Sequence, residues 1–142
     1  MLELESREEI IYETYAKSIN IEALTMIDMA GKQIIPAVIR YTKVLADTVN
    51  AVKTAGADAT TQDELLQVVG EKLTAMQTAI EKLKKAEKEA SEIEDARAQA
   101  FFYKDTVKAI MDELRAPADE LEMIVDKEYW PIPTYGELMF EI

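Results

Sequence analysis

Adjacent carboxylates are the side chains in this 142-residue sequence best suited to chemistry: Glu8-Glu9, Asp112-Glu113 and Asp119-Glu120. Two carboxylates can divide acid and base roles, or share a cation, when burial or a like-charged neighbour separates their pKa values. Nothing in the surrounding sequence indicates that environment, so the ordinary reading is a solvated helix face. Other acids stand four residues before a lysine (Glu13–Lys17, Asp28–Lys32, Glu81–Lys85), where pairing adds a little helix stability. There is no histidine, which removes Ser-His triads, His zinc motifs and the Glu-x-x-His pairs of di-iron bundles. There is no cysteine, which removes a thiol nucleophile and a disulfide framework. The four glycines are isolated, so no phosphate-cradling loop is present, and no calcium loop of Asp/Asn/Gly type occurs. The sequence therefore offers no catalytic residue, no cofactor-binding residue and no metal ligand. A carboxylate metal-binding bundle is a weak reading.

Recognition is better supplied than catalysis. The chain holds one Trp, and it stands in Tyr129-Trp130-Pro131-Ile132-Pro133-Thr134-Tyr135. Proline has no amide proton and disfavours helix at the residue before it, so this segment is expected to be extended. An extended segment this apolar, after helices, is expected to dock. The docking candidates are Trp130, Pro131, Pro133, Tyr135 and Phe140, with Phe101 and Phe102 on the preceding helix. Phe101, Phe102 and Tyr103 are consecutive, and one helix face cannot bury all three. The seven methionines, among them Met26, Met29, Met111 and Met123, are read as core filling.

The elements that must position these residues are helices. Hydrophobic residues make up 49% and charged residues 31%, which fits one globular domain, residues 1–142, with a real core. No apolar run approaches the ~20 residues that span a bilayer, and the N-terminus has no signal-peptide shape. With the missing cysteines, this leads to a cytoplasmic expectation. The net charge of −12 argues against nucleic acid and anionic membranes. From 111 onward nine acids face only Arg115 and Lys127, either a solvated face or a docking surface for a basic partner.

Helix 1 is expected over 1–54, with Ser6 and Glu9 as a capping box and a kink at Pro36. Its apolar stripe is Leu24, Ile27, Gly31, Ile34, Val38, Tyr41, Leu45 and Val52, and Gly56 stands near its stop. Residues 55–61 form a loop. Helix 2 spans 62–90, capped by Thr61, with the seam Leu66, Val69, Leu73, Met76, Ile80 and Leu83. The stripe fades into a Lys/Glu-rich stretch, and a new phase begins near Ala100. Either the chain reverses within 89–96, with Ser91 and Glu94 as a capping box, or one helix of about 60 residues runs on. Compactness favours the reversal. Helix 3 then spans 95–127, kinked at Pro117. Residues 128–142 form the extended tail and a short helical turn over 135–140, capped by Thr134 and Glu137. The fold class is all-α, an antiparallel bundle of about three long helices.

Two segments carry a resemblance. One runs Asn20-Ile21-Glu22-Ala23-Leu24-Thr25-Met26-Ile27-Asp28-Met29-Ala30 and on through Ile34 to Tyr41. The other holds Asp112-Glu113-Leu114-Arg115, Asp119-Glu120-Leu121-Glu122 and Val125 to Tyr135. Together they resemble the C-terminal region of bacterial type III glutamine synthetases, in the right order over nearly the whole chain. The middle, roughly 55–100, is similar only as a charged helical pattern. The resemblance implies a parent several times longer, which makes glutamine from glutamate, ammonia and ATP with magnesium or manganese and assembles into stacked hexameric rings. It implies catalytic domains ahead of this one, with Met1 a local start. None of their glutamate, histidine and arginine motifs occurs here, so no catalytic residue is carried over.

The leading expectation is thus an accessory C-terminal domain of glutamine synthetase, acting in packing, oligomer assembly or regulation without an active site of its own. Its partners would be the catalytic domain of the same polypeptide and further copies of it. The alternative is a free-standing helical adaptor that binds another protein through the aromatic tail.

Overall fold

The computed structural model describes residues 2–132, with side chains from Ser6 on. Within them the chain forms three rods. The first joins α1 (Leu2–Met29) to α2 (Ile35–Thr54) through a π turn at Ala30–Ile34. The second is α3 (Thr60–Ser91), unbroken. The third joins α4 (Ala96–Phe102) to α5 (Lys108–Ile124) through a second π turn at Tyr103–Val107. No strand occurs among the described residues.

The backbone accommodates Pro36 by a wide turn placed just before it. Pro36 has no N–H to offer the preceding turn, and it opens α2. Ahead of it, the Ile35 N–H reaches back five residues to the Ala30 carbonyl. The third rod carries its irregular turn away from its proline. Helix continues through Pro117, and the irregular turn lies ten residues or more earlier, where the Lys108 N–H reaches back to the Tyr103 carbonyl.

Gly56 ends the first rod at φ 84, a left-handed conformation open to glycine. Its N–H bonds to the Lys53 carbonyl at 3.0 Å, and that of Ala57 bonds to the Val52 carbonyl at 3.1 Å. This crossed pair is the Schellman closure.

The chain then reverses twice. Between α3 and the third rod, contacts join Ala90 to Gln99, Glu87 to Tyr103, Lys82 to Glu113 and Lys72 to Glu120. Partner numbers fall on one rod as they rise on the other, so the rods are antiparallel. Between the first rod and the third with its tail, Tyr12 meets Phe101 and Tyr41 meets Tyr129. Both numbers rise together, so these rods run parallel. The reversal within 89–96 is therefore what the chain does, and the 60-residue helix is not formed.

Three capping expectations change. Helix is already present at Leu2, so Ser6 sits inside α1 and caps nothing. α3 begins at Thr60 rather than after Thr61, and Oδ1 of Asp58 accepts from the Thr60 N–H and hydroxyl. Ser91 ends α3 with its hydroxyl donated to the Lys88 carbonyl, while Asp95 caps α4 by accepting from the Ala98 N–H at 2.9 Å. The third helix stops at Ile124, short of 127.

The core runs along the bundle as Val69, Met76, Ile80 and Leu83 of α3 against Val107, Met111, Leu114 and Leu121 of the third rod. Removing one such buried leucine side chain costs roughly 2–5 kcal/mol. The first rod contributes Ile34, Val38 and Leu45 as expected from its stripe, but its N-terminal half turns another way. Ala16, Ile19, Ala23 and Ala30 face inward, whereas Leu24 is 51% exposed and Gly31 lies on the surface. Apolar residues occupy both sides of α1, and the small alanines let it sit close to its neighbours.

Candidate docking site

The tail begins where Val125, at ψ 136, leaves helical geometry. Asp126 then turns the chain. Its carboxylate accepts from the Glu128 N–H at 2.9 Å, and its carbonyl accepts from the N–H groups of Tyr129 (2.9 Å) and Trp130 (3.2 Å). This local turn, which an Asp readily nucleates, swings Trp130 back towards the bundle. Trp130 is 7% exposed and belongs to the core cluster. Its Nε1 is buried with no hydrogen-bond partner among the described residues. The Tyr129 ring lies 5.7 Å from that of Tyr41, tilted by 52°. Burial, then the nearby Asp126 charge, raises the Tyr41 pKa above the usual phenol value.

Pro131 is exposed and Ile132 half-buried. Ile132 borders a cavity of about 210 Å³ with Met26, Ala30 and Ile34 of the first rod and Leu114 and Ala118 of α5. Ile132 thus borders the same cavity as Ala30 and Ile34 of the wide turn that precedes Pro36. Pro133, Tyr135, Phe140 and the expected turn over 135–140 lie outside the described residues.

The aromatic triplet divides as its spacing requires. Tyr103 is buried, Phe102 half-buried and Phe101 41% exposed. The Phe101 ring lies 6.2 Å from that of Tyr12, tilted by 46°, with Arg97 and Lys104 over it at 5.5 and 5.8 Å. Ile11, Tyr12, Tyr15, Ala100 and Lys104 complete a shallow apolar pocket of about 310 Å³ around it.

The carboxylate pairs are not brought together. Glu8, Glu9, Asp112 and Asp119 lie on the surface, Glu113 pairs with Lys82 at 2.8 Å, and Glu120 pairs with Lys72. Among the described residues no group of three or more His, Cys, Asp or Glu could hold a metal ion, and no helix is long and apolar enough to cross a membrane.

One buried acid was missed. Glu87 is 7% exposed, and its Oε1 accepts a 3.0 Å hydrogen bond from the Tyr103 hydroxyl. Its Oε2 has no partner among the described residues. Burial raises its pKa against the opposing pull of that hydrogen bond. The signal was present: Glu87 stands four residues after Leu83, at the next position of the α3 seam, but it is concealed in a run of lysines and glutamates.

Comparison with known proteins brings the two ends of the chain into one family. The model titled glutamine synthetase C-terminal domain matches residues 1–53, which are the first rod. A glutamine synthetase of Butyrivibrio fibrisolvens is 36% identical over 142 residues, covering 99% of this chain. The chain is similar to the C-terminal domains of glutamine synthetases. A type-3 glutamine synthetase of Dictyostelium discoideum is 32% identical over 98% of the chain, and a glutamine synthetase of Bacteroides fragilis 28% over 97%. These glutamine synthetase alignments extend over both segments that carried the resemblance, including the Trp130 tail. The chain spans about a fifth of the length of each of these relatives (20%). Dictyostelium is not a bacterium, so glutamine synthetase relatives of this kind are not confined to bacteria.

Proposed function

We propose that this chain is the accessory helical domain of a glutamine synthetase, held against the catalytic part of the same polypeptide and without an active site of its own. The observation that carries this reading is the coverage: 97–99% of the chain aligns with only 20% of each relative. Four-fifths of such a protein lies outside this chain and would supply the chemistry. The parent reaction would be the ATP-dependent joining of ammonia to glutamate in the cytoplasm. ATP and magnesium or manganese would bind in the preceding domains, and the role of the present domain would be packing, assembly into a homo-oligomer, or regulation.

The test has two arms. The isolated 142-residue chain is expected to form no glutamine from glutamate, ammonia and ATP. Deleting this region from the full-length polypeptide is expected to lower its assembled mass, its activity, or both. Glutamine formation by the isolated chain overturns the reading, as does a truncated enzyme of unchanged mass and activity.

A further inference from the structure

Isolated apolar side chains on a surface are ordinary, but those of α1 are aligned. At about 100° per residue, Ile10, Ile21 and Leu24 fall within roughly 60° of arc. That arc lies opposite the inward line of Ala16, Ile19 and Ala23. All three are more than half exposed, and between Ile10 and Met29 the charged side chains that fall on the same arc are Lys17 and Asp28. α1 thus carries apolar side chains on two sides, whereas among the described residues the exposed large apolar side chains of the other helices come one or two to a helix: Ile39 and Val44 on α2, Leu65 and Val68 on α3, Phe101 on α4 and Met123 on α5. A helix apolar on two sides is a helix with two neighbours. Among the described residues α1 meets α3 and the third rod, and both leave Ile10, Ile21 and Leu24 exposed. Beside this face, the pocket around Ile11, Tyr12 and Phe101 continues the apolar surface.

We infer that the outer face of α1, centred on Ile10, Ile21 and Leu24, is the surface by which this domain packs on the preceding part of its own polypeptide. The inference rests on the proposed function. Two observations select that occupant. The rod bearing the face is the stretch matched by the family model, residues 1–53. The matched relatives are about five times as long as this region, and if this is a C-terminal domain the preceding part of the polypeptide joins it at the start of α1. A second copy is a poorer occupant, because it would set one net charge of −12 against another. Arg97 and Lys104 at Phe101 add a basic edge, so the surface met there is apolar with an acidic border.

Thiol labelling tests the assignment, since this sequence has no cysteine of its own. Ile21→Cys, Leu24→Cys and Met123→Cys are each labelled with N-ethylmaleimide and read by mass spectrometry of their own peptides. Met123, 86% exposed on α5, is the control. Rates are compared between the isolated 142-residue chain and the full-length polypeptide. All three are expected to react fast in the isolated chain. In the full-length protein the two α1 sites are expected to slow by about tenfold or more, because reaction follows access to the thiolate, while Met123→Cys is unchanged. Protection of Met123→Cys with fast α1 sites overturns this inference and leaves the proposed function standing. No protection at any site overturns both. Protection of α1 in the isolated chain that grows with its concentration assigns the face to a second copy instead.

Discussion

The hydroxyl of Tyr103 donates a 3.0 Å hydrogen bond to Oε1 of Glu87 inside the bundle, across the reversal that joins α3 to α4. The donor stands at the first residue of a π turn and the acceptor on the α3 seam, so one contact ties the wide turn to the unbroken rod. It also places a carboxylate where water is scarce, with one oxygen lacking a partner among the described residues.

This pair makes stability depend on pH in a definite direction. Burial raises the Glu87 pKa in the folded chain above its unfolded value, so the folded state holds the proton more tightly. The contribution of Glu87 is fully present below the unfolded value of about 4.3 and is lost as pH rises through the raised folded value. Glu87→Gln, which keeps an acceptor for Tyr103, is expected to be more stable than the parent at about pH 8 and to lose that advantage towards about pH 4. Urea denaturation across that range measures it, and a variant less stable at the alkaline end would show the carboxylate to be favoured by its site. Tyr103→Phe removes the donor and is expected to cost about 1–3 kcal/mol near neutral pH.

Trp130 lies in the core that the described residues build among themselves. Trp130→Ala is expected to destabilise the 142-residue chain by ~3–5 kcal/mol. Parent and variant unfolding followed by far-ultraviolet circular dichroism gives the number. An unchanged midpoint would mean that the buried indole contributes nothing to the isolated fold.

Two glycines should respond oppositely to the same substitution. Gly56 has φ 84, where an added Cβ is strained even in open space, and Gly56→Ala is expected to cost about 1–2 kcal/mol. Gly70 sits within α3 with nothing within 4 Å of the added carbon. Gly70→Ala should gain roughly 0.5–1 kcal/mol from backbone entropy alone. Thermal melts of the two variants should move in opposite directions.

Much of this fold was legible because three signals agree: helix-forming composition, a Gly56 stop and the seam of Leu66 to Leu83. The inner face of α1 was not, because Leu24 and Ile21 are as apolar as the residues that turn inward, and periodicity cannot choose between two apolar sides. Capping boxes misled at Ser6, Thr61 and Ser91, since glutamate is so common here that a Ser or Thr three residues before one arises without meaning. Asp58 and Asp95 instead bond the helix-start amides. The tail announced itself through Trp130 and Pro131, but the turn that buries the indole depends on Asp126, one acid among many. Glu87 was concealed by its charged neighbours and became visible only beside Tyr103.

In genetic terms, the wide turn at Ala30–Ile34 gives room to one codon more than a regular turn would hold. Closing a ring over five residues instead of four takes up a residue without rotating the rest of the rod. Were the same chain wound as a regular helix throughout, everything after Ile34 would swing by about 100°, and the place of Val38 in the core would fall to Ala37. The turn keeps α1 and α2 in phase with α3, which has no such turn, and so lets one rod of the bundle be longer in sequence than it is in space.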